Sequence, residues 1–302
     1  MSRIRTRLVA ALGAATVTAL ALAGCASSDP LTGGAASETP ASGTIVVGSQ
    51  AYYSNEVIAE IYAQALEGAG FTVKRTFSIG QREAIIPSLQ DGTIQLTPEY
   101  TGNLLQYFDK NTTVTASDDV YAALKKALPA GLAVLDKSSA TDQDSYNVTA
   151  AFAQQHNLKT IGDLAGISPL VLGGAPELEQ RPYGPSGLKD KYGVDVTFKG
   201  TADTTVDELV AGGIQVANVY SAEPDIKTKD LVTLEDPKGL FLASNVVPLV
   251  NASVSGEVAD VINKVSAALT PEGLVALNVE VKVDQKSPKD AAKAWLSANK
   301  LG

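Results

Sequence analysis

Histidine, cysteine and tryptophan occur once each in this 302-residue chain. A single cysteine, Cys25, allows no disulfide within the chain, so the fold must rest on its apolar core. A single histidine, His156, leaves no His/Cys cluster at metal-ligand spacing and no partner set for a nucleophilic triad. It sits in the stretch 150–156, which reads as a helix with His156 on its polar face. Residues 184–187 (Gly-Pro-Ser-Gly) lack both the spacing and the preceding strand of a nucleophile elbow. There is no P-loop and no cofactor motif. Basic residues are also scarce, 24 against 33 acidic, which argues against nucleic acid as a partner. Among enzymes, the inventory leaves open only a hydrolase built on Asp and Glu, and nothing recommends one.

The first 42 residues are the most informative part of what is present. Arg3, Arg5 and Arg7 precede an apolar run over residues 8–23, too short for a lasting membrane span, followed by Leu22-Ala23-Gly24-Cys25. A basic start, a short apolar stretch and small residues make a secretory signal over 1–24. The tetrapeptide resembles a bacterial lipobox, which implies cleavage before Cys25 and acylation of its thiol. Residues 26–42, rich in Ser, Ala, Gly, Thr and Pro, read as a flexible tether. Loss of residues 1–24 removes three arginines and no acid, leaving 21 basic and 33 acidic residues and a formal charge of −12. The lipid, not electrostatics, would then hold the protein to the outer face of a membrane.

About 260 residues remain, a length that suits two lobes. Strand and helix signals alternate: a buried-type strand at 44–48, a helix to about residue 67 capped by Ser54 or Asn55, a strand at 71–77, a short helix at 85–90 and a strand at 94–96. The pattern restarts after about Asn147, with strands at 169–172, 196–198, 216–220 and 231–236. A strand at 245–250 carries Pro248, which suits a sheet edge. Helices at 257–269 and 288–299, the second capped by Ser287, close the chain. The expected fold class is α/β, with mostly parallel sheets in two lobes: residues 43–147 with 243–302, and residues 148–242. The hinge crossings fall near Asn147 and Leu242, and the ligand cleft lies at the carboxyl ends of the strands.

The segment ending in Pro98-Glu99-Tyr100-Thr101-Gly102 is similar to that of the substrate-binding lipoproteins of ABC importers for glycine betaine, carnitine and choline. Gly48-Ser49-Gln50, residues 59–64, residues 173–181, Gly187-Leu188-Lys189, residues 234–238 and residues 287–296 fit that family in order, over about residues 43–300. The resemblance implies a two-lobed, type II periplasmic-binding-protein fold and no enzymatic activity. It also implies a quaternary-amine ligand and delivery to a permease driven by a separate ATPase. A monomer touching the membrane only through its lipid is expected.

The physics agrees, because a quaternary ammonium has no N–H to donate and is held best by the negative faces of aromatic rings. With ten tyrosines and one tryptophan, any cage here must be mostly tyrosine. The resemblance assigns Tyr100, Tyr146 and Tyr220 to it, with Asp144 beside the crossing, Gln50 in the first loop and Arg181 able to grip a carboxylate. The chain also departs from the family. Ser244 stands where many relatives have a tyrosine, removing one wall of the cage. Asn103 replaces a threonine that helps hold a carboxylate, Gln50 replaces a lysine of some betaine binders, and Tyr183 stands where relatives often have Asp. Tyr52, Tyr53 or Tyr183 is available to restore the lost ring. Glu83 serves either as a carboxylate at a helix start or as a counter-charge in the cleft. Together these changes favour choline or a bulkier compound over glycine betaine, and leave open a non-cationic or aromatic ligand.

Overall fold

The structure, a computed structural model, describes residues 43–301. The leader, Cys25 and the tether lie outside the described residues. The first stretch runs β1 (Thr44–Gly48), α1 (Tyr53–Gly68), β2 (Thr72–Thr76), α2 (Arg82–Gln90), β3 (Leu96–Tyr100), α3 (Thr101–Phe108), α4 (Ser117–Ala127) and β4 (Leu132–Val134). The second runs β5 (Asp144–Thr149), α5 (Ala150–His156), β6 (Val171–Gly174), α6 (Pro185–Tyr192), β7 (Thr197–Gly200), α7 (Thr205–Val210), β8 (Val216–Tyr220), α8 (Asp225–Thr228) and β9 (Leu231–Thr233). Then β10 (Val246–Asn251), α9 (Ser255–Ala268), α10 (Pro271–Asn278) and α11 (Pro288–Asn299) return to the first half.

Two five-stranded sheets result, in the orders β2-β1-β3-β10-β4 and β7-β6-β8-β5-β9. In each, three parallel strands linked by helices are followed by an antiparallel fourth strand that enters from the other lobe: β10 pairs with β3, and β5 with β8. The first crossing therefore falls at residues 135–143. Residues 144–147, expected with the first lobe, are hydrogen-bonded in the second sheet. The two crossing segments join at a Thr141–Asn245 bridge, flanked by backbone bonds from Asp142 to Ser244 and from Val246 to Ala140.

Two local expectations are corrected. Neither Ser54 nor Asn55 caps α1, which begins one residue earlier after Tyr52. Asn55 instead accepts the Gln50 N–H at 2.8 Å and donates to the Pro98 carbonyl at 3.1 Å, fastening the β1–α1 loop to β3. Pro248 is not at an edge: β10 lies inside the sheet, and Pro248 sits opposite Pro98. The interior place is tolerated because β4 ends just before the missing N–H would be needed. The Leu135 N–H still reaches the Pro248 carbonyl, and the Tyr121 hydroxyl takes the Leu135 carbonyl at 2.8 Å in place of the bond proline cannot make.

Ser287 does cap α11, accepting the Asp290 N–H. Val57, Ile58, Ile61, Tyr62 and Leu66 of α1 are buried in the core of the first lobe with Ala291, Ala292 and Leu296 of α11. A separate core formed around Tyr146, Val148, Leu172 and Leu188 supports the second sheet. Among the described residues, no helix is long and apolar enough to cross a membrane. Because Tyr121 replaces a ladder bond, Tyr121→Phe is expected to lower stability by about 1 kcal/mol in urea unfolding, with no change in secondary structure.

Candidate functional site

The loop after β1, the end of β3, the loop after β6, the end of β8 and the start of β5 all contribute to one inner cavity of about 30 Å³. Gln50, Tyr52, Arg82, Tyr100, Asn103, Asp142, Asp144, Arg181, Tyr183, Asn218 and Tyr220 line it. Its volume admits a few waters at most. A second cavity of about 600 Å³ adjoins it, and Tyr52, Asp142, Asn218 and Tyr220 line both.

The Pro98–Gly102 segment builds one wall. Glu99 is fully buried and holds the buried Arg82 through two bonds of 2.8 and 2.7 Å. Burial opposes the charge on Arg82, and Glu99 more than restores it, keeping the guanidinium pKa above its ordinary value. Glu99 also accepts the Tyr100 N–H at 3.0 Å, so the ion pair fixes the end of β3 and the ring it carries. Thr101 ties this end to the crossing: its N–H donates to Asn245, its hydroxyl donates to Ala243, and it accepts the Asn245 N–H. Gly102 makes this approach possible, because a Cβ there would lie 2.7 Å from Ser244 Oγ and 2.8 Å from the Ala243 carbonyl.

Three tyrosines form a stack. The Tyr52 ring lies 6.4 Å from Tyr100 and 5.7 Å from Tyr220, at interplanar angles of 27° and 23°. Burial raises all three phenol pKa values above the ordinary range, so the rings are neutral. Tyr183 also lines the inner cavity, while Tyr53 lines the outer one and donates to Glu223 at 2.8 Å. Tyr146 does not reach either. It is fully buried against Phe241, and its hydroxyl donates to the Tyr183 carbonyl. It shares a strand face with Asp144 but lies one pleat deeper, so it supports Tyr183 from beneath.

The two departures Ser244 and Asn103 turn out to be bonded to each other. Ser244 Oγ accepts the Asn103 N–H at 3.2 Å and donates to Asn103 Oδ1 at 2.6 Å. Asn103 Nδ2 then donates to Asp144 at 2.5 Å and to the Tyr183 hydroxyl at 2.9 Å. Arg181 grips Glu83 with bonds of 2.7 and 3.2 Å. Burial works against the Glu83 charge, but the guanidinium outweighs it and holds the carboxyl below its usual pKa. On the opposite side, Lys282 pairs with Glu223 at 2.7 Å and Asp225 at 2.9 Å. These contacts join the lobes across the cleft, which is therefore closed.

Sequence reading missed Asp142, Arg82, Glu99 and Asn218. Period-two spacing was the available signal: Asp142 lies two residues before Asp144, and Asn218 two before Tyr220. Asp142 accepts the Ala222 N–H at 3.0 Å and the Ser54 hydroxyl at 3.2 Å. Burial pushes its carboxyl up to about 7, against these two bonds. Burial likewise raises Asp144, with Asn103 opposing. Three polar atoms facing the inner cavity, Gln50 Nε2, the Tyr100 hydroxyl and Asn218 Nδ2, have no well-formed hydrogen bond in the protein. Asn218 lies near Asp144 without hydrogen-bond geometry, though close enough to help hold its pKa down.

Two α/β lobes that share their crossing strands and close on an aromatic-lined cavity define a binding protein that encloses a small molecule. A family described as the substrate binding domain of ABC-type glycine betaine transport systems matches residues 43–298, and the chain belongs to it. It is thus the binding component of a transporter rather than an enzyme, and the hydrolase reading is set aside. The chain is 26% identical over 261 residues to the ergothioneine transport permease/ergothioneine binding protein of Helicobacter pylori. That match covers 83% of this chain and 47% of the relative, so the chain spans about half of that relative's length. It is 23% identical to the glycine betaine-binding protein YehZ of Escherichia coli, over 85% of this chain and 90% of the relative. A crystal structure of a glycine betaine/carnitine/choline ABC transporter protein superposes with a TM-score of 0.70 at 20% identity, covering 85% and 99% of the two chains. This likeness establishes the two-lobed fold.

The raised pKa of Asp142 has a sign that can be checked. The folded protein keeps this carboxyl protonated where the unfolded chain, titrating near about 4, has released the proton. Its stabilising effect is therefore full below about 4 and is lost as pH rises to about 7. Asp142→Asn should flatten this decline between about pH 4 and about pH 7 in thermal or urea unfolding of the ligand-free protein.

Proposed function

We propose that this protein is a lipid-anchored, extracytoplasmic, monomeric receptor that captures a quaternary-ammonium solute between its lobes. It hands that solute to an ABC permease driven by a separate ATPase. The carrying observation is the tyrosine stack Tyr52, Tyr100 and Tyr220 set beside the buried carboxylates Asp142 and Asp144. Aromatic faces attract a diffuse cation, and each desolvated contact is worth about 2 kcal/mol, so three or four rings support micromolar binding. The carboxylates give the electronegative floor that a non-cationic ligand has no use for. The names of the Escherichia coli relative and of the superposed structure support the same ligand class.

In this reading the slot between Tyr100 and Tyr220, filled by the Tyr52 ring, is the ammonium site. The lobes part about the crossings at residues 135–143 and 234–245, Tyr52 withdraws, and a trimethylammonium group takes its place. Reclosure then presents the joined lobes to the permease. Anchoring through Cys25 and export rest on the sequence of the first 25 residues.

Calorimetric titration of the full chain with choline, glycine betaine, carnitine and proline betaine tests the reading. At least one should bind, and Tyr100→Ala or Tyr220→Ala should weaken it about 30-fold. Silence from all four with a folded sample would exclude the quaternary-ammonium class.

A further inference from the structure

The inner cavity is lined by three carboxylates, Asp142, Asp144 and Glu177, and two guanidinium groups, Arg82 and Arg181. Both guanidiniums are already matched in two-bond geometry, Arg82 by Glu99 and Arg181 by Glu83. A guanidinium paired in this way keeps N–H donors on its other edge, but its charge is already neutralised, so it offers a ligand carboxylate little net attraction. The Asn103 amide is equally committed, with its oxygen to Ser244 and its nitrogen to Asp144 and Tyr183. The protein has thus set one of its own carboxylates against each of the two donors that the family resemblance gives to a ligand's carboxylate. Among the described residues, none of Asp142, Asp144 and Glu177 has an ion-pair partner within 4 Å. Asp144 and Glu177 therefore bring negative charge that no cation matches, and Asp142 adds to it once it ionises at about 7. The amide donors left over are neutral, Gln50 Nε2 and Asn218 Nδ2.

We infer that Glu83 and Asp144 set the specificity of this cleft: by occupying Arg181 and Asn103 they reject a ligand carboxylate. They thereby select quaternary amines of net positive charge whose far end is a neutral oxygen acceptor, such as an alcohol, ether or ester. The inference rests on the quaternary-ammonium reading above and narrows it. A zwitterionic betaine would bring its carboxylate into a cavity that already holds an excess of them, where both guanidiniums are charge-matched and the other free donors are neutral amides. A cationic alcohol or ester places its charge against that excess and its oxygen on Gln50 or Asn218. The adjoining cavity of about 600 Å³, lined by Glu56, Asp203, Glu223 and Lys282 among others, has room for an uncharged extension.

The test is a pair of titrations, choline and glycine betaine, on the full chain and on its Glu83→Gln and Arg181→Gln variants at one pH and salt concentration. Glu83 is about half exposed, so its replacement leaves the core untouched. The native chain should bind choline at least about tenfold more tightly than glycine betaine. Glu83→Gln leaves the Arg181 charge unmatched and should shrink that ratio by about tenfold or more, through a gain in glycine betaine affinity. Arg181→Gln removes the lobe-to-lobe contact without leaving an unmatched cation, so both ligands should weaken together and the ratio should hold.

Equal or tighter binding of glycine betaine by the native chain would overturn the inference. So would an unchanged ratio in Glu83→Gln, or a matching shift in Arg181→Gln that traces the effect to looser closure. If the folded native chain binds neither ligand, the quaternary-ammonium reading itself fails and takes this inference with it.

Discussion

The cleft depends on neutralising a single buried guanidinium. Arg82 opens α2 with almost no contact with water, and an unpaired charge there would cost several kcal/mol. Glu99 answers it in two-bond geometry. Because Glu99 is the penultimate residue of β3, the pair fixes where that strand ends. Tyr100 is then aimed at the cavity and Thr101 at the crossing. The same few residues thus set the aromatic wall and the point about which the lobes are joined. Binding surface and hinge are one piece of structure.

Electrostatic matching extends outward from that pair. Each cation near the cleft is met by an acid: Arg82 by Glu99, Arg181 by Glu83, and Lys282 by Glu223 and Asp225. The last two matches cross from one lobe to the other, so they help hold the closed arrangement as well as setting the local charge. Among the described residues that line the two cavities, Asp142, Asp144, Glu177, Glu56 and Asp203 have no ion-pair partner. Such a distribution favours an added positive charge in the cavity, beside the tyrosine stack.

Much of this was legible in the sequence because strand ends in α/β folds carry ligand contacts. Tyr100, Tyr220, Gln50, Asn103, Asp144 and Arg181 all lie at or beside such ends and all line the inner cavity. Tyr146 shows the limit, since alternation gives the face of a strand but not the depth along it. Pro248 shows another, because whether a strand lies at an edge depends on which segments come to cover it, and β4 is only three residues long. Arg82 and Glu99 were hidden for a similar reason. They are 17 residues apart, and nothing local announces that the two side chains meet in the core. The bond between Ser244 and Asn103 spans 141 residues, and joins two departures that the sequence presented as unrelated.

The exchange of fourth strands between the lobes has a consequence for the order of assembly. The second sheet is completed by a continuous stretch of chain from β5 to β9. The first sheet is not: β3 exposes an unpaired edge until β10, about 150 residues later, arrives to cover it. Contacts of such long range are slow to form, because a large loop must close before they contribute. As the chain is made amino end first, the second lobe can fold while the first still waits for its missing strand. The C-terminal third of the protein then acts as the late-arriving closure of the lobe that was begun first.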